Sequence, residues 1–180
     1  MTVAETPTIP GGVLPEDLRF RGSFDLTMDD KGRLSIPAEF RDIMLKMGED
    51  TLVLSFHSSS LEAYPLIMWR DKEAEALRLP ADEPDVQQYL RVIGLAVKRS
   101  PDKQGRILIP PAMRRHIGLD GNGDQDREVV LNGLLTKFEI WSRERWEGHL
   151  ARFTQTPEDF AAMSKAVARF KREAQSGPGR

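Results

Sequence analysis

The sequence predicts an α+β protein made of two tandem copies of one unit, and three observations carry that expectation. First, a nine-residue stretch occurs twice, as Asp29-Asp30-Lys31-Gly32-Arg33-Leu34-Ser35-Ile36-Pro37 and as Asp102-Lys103-Gln104-Gly105-Arg106-Ile107-Leu108-Ile109-Pro110. Aligned on the glycine, both read Asp-x-x-Gly-Arg, then three residues with apolar ends, then proline. Second, the likeness continues past this stretch, with the spacing between copies moving from 73 to 77 residues. Leu54 then meets Leu131, Leu61 meets Phe138, Glu62 meets Glu139, Tyr64 meets Trp141 and Trp69 meets Trp146. The extra residues fall in the acidic, glycine-rich run Asp120-Gly121-Asn122-Gly123-Asp124. Third, short strand-like runs and helical spacings follow each other in the same order in each copy. Matches on both sides of one insertion mark a tandem duplication, with roughly 75 residues per unit.

The elements follow in chain order. Between residues 20 and 28 the apolar Phe20, Phe24, Leu26 and Met28 mostly alternate with polar residues, the pattern of a half-buried strand with Gly22 as a bulge. Asp29 to Gly32 reads as a tight reversal with positive φ at the glycine. Leu34-Ser35-Ile36 is expected to return as the second strand of a hairpin. Pro37 lacks an amide donor and suits the first turn of a helix, on which Phe40, Ile43, Met44 and Met47 form one apolar face. Gly48 ends that helix.

Leu52-Val53-Leu54 and Leu61-Glu62-Ala63-Tyr64 read as two more strands joined through His57-Ser58-Ser59-Ser60. A charged helix is expected over residues 66–79, closed by Pro80, and another after Pro84 with Val86, Tyr89, Leu90 and Ile93 at helical spacing. Leu95-Ala96-Val97 then leads into the second turn, residues 107–109 return, and Pro110-Pro111 opens a helix that Gly118 stops. A C-terminal helix starts at Thr156-Pro157, with threonine as N-cap and proline at the first helical position. Its stripe of Phe160, Met163, Val167 and Phe170 suits packing on the chain's own core or, alternatively, a subunit contact.

Composition narrows the function. The formal charge is -2, so no global basic field advertises a nucleic-acid partner, and any such contact needs a local basic face. The chain has no cysteine, which removes disulfide and thiolate chemistry. His57, His116 and His149 lack metal-ligand spacing, and no cofactor or metal is expected. No Gly-x-Ser-x-Gly, no phosphate loop and no histidine beside a nucleophile supports an enzyme or a small-molecule substrate. No apolar run is long enough to span a membrane, and the leading residues lack the character of a signal peptide, so a cytoplasmic protein is expected.

At the two Asp-x-x-Gly-Arg-x-x-x-Pro stretches, and in the preceding Phe20-Arg21-Gly22, the sequence resembles the MraZ family of bacterial transcriptional regulators. The resemblance covers roughly residues 19–170. It implies swapped-hairpin, AbrB-like repeats that pack as one pseudo-dimeric β-barrel with peripheral helices. The corresponding segments are a flexible tail over 1–18, a first AbrB-like repeat over 19–80, a connecting helix over 81–94, a second repeat over 95–147, a C-terminal helical region over 148–173 and a flexible tail over 174–180. It further implies a ring-shaped homo-oligomer, associated with the nucleoid, that binds double-stranded DNA at direct repeats in the promoter of its own division and cell-wall operon and represses it. Two departures are a long leading extension and an unusual loop over residues 56–60. An AbrB-like antitoxin, or a ring-forming cell-division scaffold with incidental DNA binding, are the alternatives.

The residues themselves support part of this. A turn between strands can present arginine to the major groove, and the planar guanidinium fork matches guanine O6 and N7 together. Arg33 and Arg106 are therefore the candidate readers, with Asp29 and Asp102 orienting them. Lys31, Lys103 and Arg21 are candidate DNA contacts beside them, and Arg41, Lys98, Arg99, Arg114 and Arg115 cluster near the motifs in sequence. Aspartate and arginine four apart around a glycine turn also pair simply to fix the turn, and both roles remain open at this level.

Overall fold

A computed structural model describes residues 14–119, 127–152 and 156–175. The acidic insertion run, most of the leading tail and the last residues lie outside them. Each repeat supplies the same order of elements. The first has β1 (Ser23–Thr27), β2 (Arg33–Ser35), α1 (Ala38–Lys46), β3 (Leu52–His57), β4 (Ser60–Pro65) and α2 (Leu66–Ala76). After α3 (Pro84–Gly94) the second has β5 (Val97–Arg99), β6 (Arg106–Leu108), α4 (Pro111–His116), β7 (Glu128–Gly133), β8 (Phe138–Ser142) and α5 (Arg143–Arg152). Helix α6 (Pro157–Gln175) follows. The charged α2 ends at Ala76, short of the expected residue 79.

The strands do not pair as the expected hairpin. The reversal at Asp29–Gly32 forms, yet β1 and β2 enter different sheets. β1 pairs antiparallel with β7 of the other repeat, β5 pairs with β3, and β2 pairs with its own counterpart β6. One sheet has the order β1-β7-β8-β4-β3-β5, and β2-β6 forms a separate ribbon. Both are antiparallel, and among the described residues these pairings close no barrel: β1 and β5 remain the edges of the larger sheet. The physical reason lies in the ribbon. Pairing β2 with β6 buries Leu34 against Ile107, both fully enclosed, with Ile36 and Ile109 beside them.

The register is symmetric in the repeats. Phe24 faces Leu131, just as Val97 faces Leu54. Leu34 faces Ile107 and Glu62 faces Glu139, so matched residues meet each other and mark a pseudo-twofold axis through the ribbon and the centre of the sheet. Exchange of β1 and β5 leaves no seam between the repeats. Of the chain's two compact units, residues 1–146 and 147–180, the first holds every strand of both copies.

Phe20, Phe40 and Phe138 lie at the centre of the main core, with ring centroids 5.0 to 5.5 Å apart. Leu14 and Leu18 are also buried there, although residues 14–18 belong to the segment expected to be a tail. A second cluster of Val53, Tyr64, Trp69, Ala76 and Ile93 packs where α2 and α3 meet β3 and β4. In the second unit, Thr156 caps α6 as expected: the Asp159 amide donates to Thr156 Oγ1 at 3.2 Å, and that hydroxyl donates to Asp159 Oδ2 at 2.9 Å. Phe160, Met163, Val167 and Phe170 on α6 are exposed.

Candidate nucleic-acid interface

The ribbon decides where the two arginines sit. Side chains alternate across a strand, so with Leu34, Ile36, Ile107 and Ile109 turned into the core, Arg33, Ser35, Arg106 and Leu108 share the outer face. The pairing runs out into the turns themselves: the Ile36 amide donates to the Gly105 carbonyl and the Ile109 amide to the Gly32 carbonyl, both at 2.9 Å. Two turns 73 residues apart in sequence thereby lie side by side.

Each turn is knitted by its aspartate. Asp29 Oδ1 accepts from the Lys31 amide at 3.0 Å and the Arg33 amide at 2.9 Å, while Oδ2 accepts from Arg33 Nε at 2.7 Å. Arg33 Nη2 lies 2.7 Å from the same oxygen. Asp102 repeats the arrangement, with Oδ1 accepting from the Gln104 amide at 2.9 Å and the Arg106 amide at 3.0 Å. Its Oδ2 accepts from Arg106 Nε at 3.0 Å and Nη2 at 2.8 Å. Across the axis, Arg106 Nη1 stands 3.8 Å from Asp29 Oδ2. The turn-fixing pair expected from the spacing is therefore present in both copies. It takes the Nε side of each fork and leaves the Nη1 side outside the turn's own bonds, with the Arg33 and Arg106 side chains 31% and 24% exposed.

The carboxyl groups feel these donors. Burial opposes ionisation of Asp29, but the bonds from the Arg33 amide and guanidinium and the Lys31 amide outweigh it and lower its pKa. The Arg106 guanidinium, followed by its amide, brings Asp102 down to about 2. Both aspartates are anionic at neutral pH, and both arginines stay oriented.

Gly32 and Gly105 adopt φ values of +78° and +73°, as the reversal requires. Each also makes room for an arginine of the other repeat. A Cβ on Gly32 would fall 2.8 Å from the Arg114 guanidinium, and one on Gly105 would fall 2.6 Å from Arg41. Thus α4 covers the first turn and α1 the second, an arrangement that the sequence cluster of basic residues leaves undetermined. Lys31 and Lys103 are exposed at the two turns. Arg99 joins the same region by donating from Nε to the Leu108 carbonyl at 3.2 Å. Arg21 is not brought in: it precedes β1, at the opposite end of that strand from the turn, and pairs with Glu16 at 3.1 Å. Arg127, absent from the sequence-based candidates, forms an ion pair with Asp30 of the first turn. Only its position beside the insertion run, 77 residues after Asp50, hinted at it. Among the described residues, no group of three or more His, Cys, Asp or Glu could hold a metal ion, and no helix is long and apolar enough to cross a membrane.

Two interlocked repeats that present a pair of aspartate-held arginines on one outer ribbon define a tandem turn-arginine protein of α+β class. The MraZ protein family matches the chain twice, over residues 19–92 and 93–170, and the chain belongs to that family. It is 40% identical over 129 residues to the transcriptional regulator MraZ of Desulforapulum autotrophicum, covering 71% of this chain and 83% of that relative. It is 35% identical over 152 residues to the protein of the same name from Leuconostoc citreum, covering 84% and 98%. The counterpart from Pseudoalteromonas translucida is 32% identical over 139 residues, covering 76% and 88%.

Proposed function

We propose that this chain is a sequence-specific DNA-binding transcriptional regulator in which Arg33 and Arg106 read base edges from the outer face of the β2–β6 ribbon. The observation that carries this reading is the aspartate brace on each arginine. A guanidinium held along its Nε side is pre-oriented, so little rotamer freedom remains to be lost when its other side meets guanine O6 and N7. Asp29 and Asp102 orient and do not read. Lys31, Lys103 and the arginines of α1 and α4 provide phosphate contacts that set register. The names of the relatives support regulation of transcription as the biological output.

Two bidentate contacts contribute about 1–3 kcal/mol of discrimination each, which is thin for one specific site. We therefore read the working form as a ring of several chains that engages direct repeats in the promoter of its own division and cell-wall operon, where effective concentration supplies the missing affinity. Such a protein is cytoplasmic and nucleoid-associated. Sedimentation as a monomer at concentrations that saturate the operator would rule out the ring.

Footprinting on the DNA upstream of its own gene tests the reading heads. Wild type is expected to protect a defined set of bases, and Arg33→Ala and Arg106→Ala to lose that protection while keeping wild-type circular dichroism and thermal unfolding. Variants that protect the same bases as wild type would overturn the assignment.

A further inference from the structure

The pseudo-twofold axis relates the two turns in shape but not in charge. Asp29, Arg33 and Arg114 at the first turn correspond to Asp102, Arg106 and Arg41 at the second, with identical charges. Four other matched positions differ. Asp30 corresponds to Lys103, Lys31 to Gln104, Arg115 to Asp42 and Arg127 to Asp50. The first of these makes the first turn more negative by two charges, and the others make it more positive by one, two and two. At these four positions the first turn is more positive than the second by three charges.

The structure puts Asp30, Lys31 and Arg127 at the first turn and Asp42, Asp50, Lys103 and Gln104 at the second. Arg127 is ion-paired to Asp30, so the one extra acid of the first turn is already neutralised. Asp42, Asp50, Asp102 and Lys103 line a single cleft of about 300 Å³ beside the second turn. Lys103 thus stands in a cleft lined by four carboxylates, those of Asp42, Glu49, Asp50 and Asp102, and by the guanidinium of Arg41. Any phosphate that approached it would also approach Asp42 and Asp50, whose repulsion offsets the attraction. The axis places Arg115 where Asp42 stands, so the corresponding surface of the first turn attracts a phosphate.

We infer that the two turns engage duplex DNA unequally, the first turn carrying most of the phosphate contact and giving each chain a fixed polarity on the double helix. This rests on the DNA-binding reading above. A shape that is nearly two-fold would otherwise fit an operator in either direction. Unequal charge removes that ambiguity, because reversing the chain moves the attractive surface away from the phosphates it matched.

Salt dependence reports phosphate contacts directly, with a slope of about -0.9 in log affinity against log salt for each phosphate neutralised. The experiment is fluorescence anisotropy of the full chain on a duplex of its own upstream DNA across a potassium chloride series. Lys31→Ala is expected to reduce the slope by about 0.9. Lys103→Ala is expected to reduce it by less than half as much. In an Asp42→Ala/Glu49→Ala/Asp50→Ala background, Lys103→Ala is expected to approach Lys31→Ala, because the one carboxylate left in the cleft's lining, Asp102, is held by Arg106. If Lys103→Ala in the otherwise native chain costs as much slope as Lys31→Ala, the inequality is overturned while DNA binding stands. A native chain with no salt-dependent binding to this DNA overturns the DNA reading, and this inference with it.

Discussion

The aspartates of the two turns carry a measurable pH signature. Asp102 is held at about 2 by Arg106, below the 3.8 of an unperturbed aspartate. A group whose pKa falls on folding stabilises the folded state above its unfolded value, and that stabilisation is lost as pH drops through the folded one. The contribution of Asp102 is therefore complete above about pH 4 and lost progressively towards pH 2. Urea midpoints followed from pH 5 to pH 2 should fall less steeply for Asp102→Asn than for wild type. Parallel curves for the two proteins would show that Arg106 does not hold the carboxylate in the folded chain. The spacing Asp-x-x-Gly-Arg made this pairing legible in the sequence, because a tight turn leaves residues four apart close together. The 3.8 Å approach of Arg106 to Asp29 was not legible, since it links turns from different repeats.

At the level of elements, the antiparallel pair β4–β8 carries two acidic residues into a buried position. Glu62 and Glu139 face each other at the axis, with Glu62 only 5% exposed. They are stabilised differently. Glu62 accepts from the Tyr64 hydroxyl at 2.7 Å and from Lys137 Nζ, with Lys72 Nζ at 3.7 Å and His57 Nδ1 at 3.5 Å. Glu139 accepts from Trp141 Nε1 at 3.0 Å. Burial alone would raise the Glu62 pKa, but the bonds from Lys137 and Tyr64 outweigh it and lower it; burial and the Glu62 charge raise that of Tyr64. Removing Lys137 leaves a buried carboxylate short of one cation. Lys137→Ala should cost about 2 kcal/mol, below the usual range for a buried pair because Lys72 remains and the lysine end is partly solvated. The double variant Glu62→Gln/Lys137→Met should recover most of that loss in urea denaturation. A single variant within about 0.5 kcal/mol of wild type would show that Lys137 is not a structural counter-charge.

At the scale of the whole molecule, exchanged strands make the two repeats one folding unit. The first repeat alone, residues 19–92, lacks both β7, which covers β1, and β5, which covers β3, and it exposes the buried face of β2. Unpaired edges with apolar residues seek another chain. An isolated 19–92 fragment should be unfolded at low concentration or associate in pairs through the positions left by β5, β6, β7 and β8. Circular dichroism and sedimentation against concentration check this. A fragment that is monomeric and melts cooperatively would show that each repeat is self-sufficient. The same topology explains the difference between the expected hairpin and the observed exchange. Periodicity locates strands, and turn chemistry locates reversals, but neither names a strand's partner when two equivalent partners exist in one chain.

The sequence by itself determined the duplication, the order of elements in each copy, the two Asp-x-x-Gly-Arg turns, the capped final helix and the family. These are local matters of spacing, φ at glycine and capping chemistry, together with self-similarity along the chain. Only the tertiary structure decided that β2 meets β6, that Arg33 and Arg106 emerge on one face, and that Arg114 and Arg41 each cover the other repeat's glycine. It also placed Arg21 away from the turns, Arg127 beside Asp30, and Leu14 and Leu18 in the core. Those outcomes depend on which buried faces meet across more than seventy residues of chain, and the gain from enclosing Leu34 against Ile107 appears in neither copy until the two are brought together.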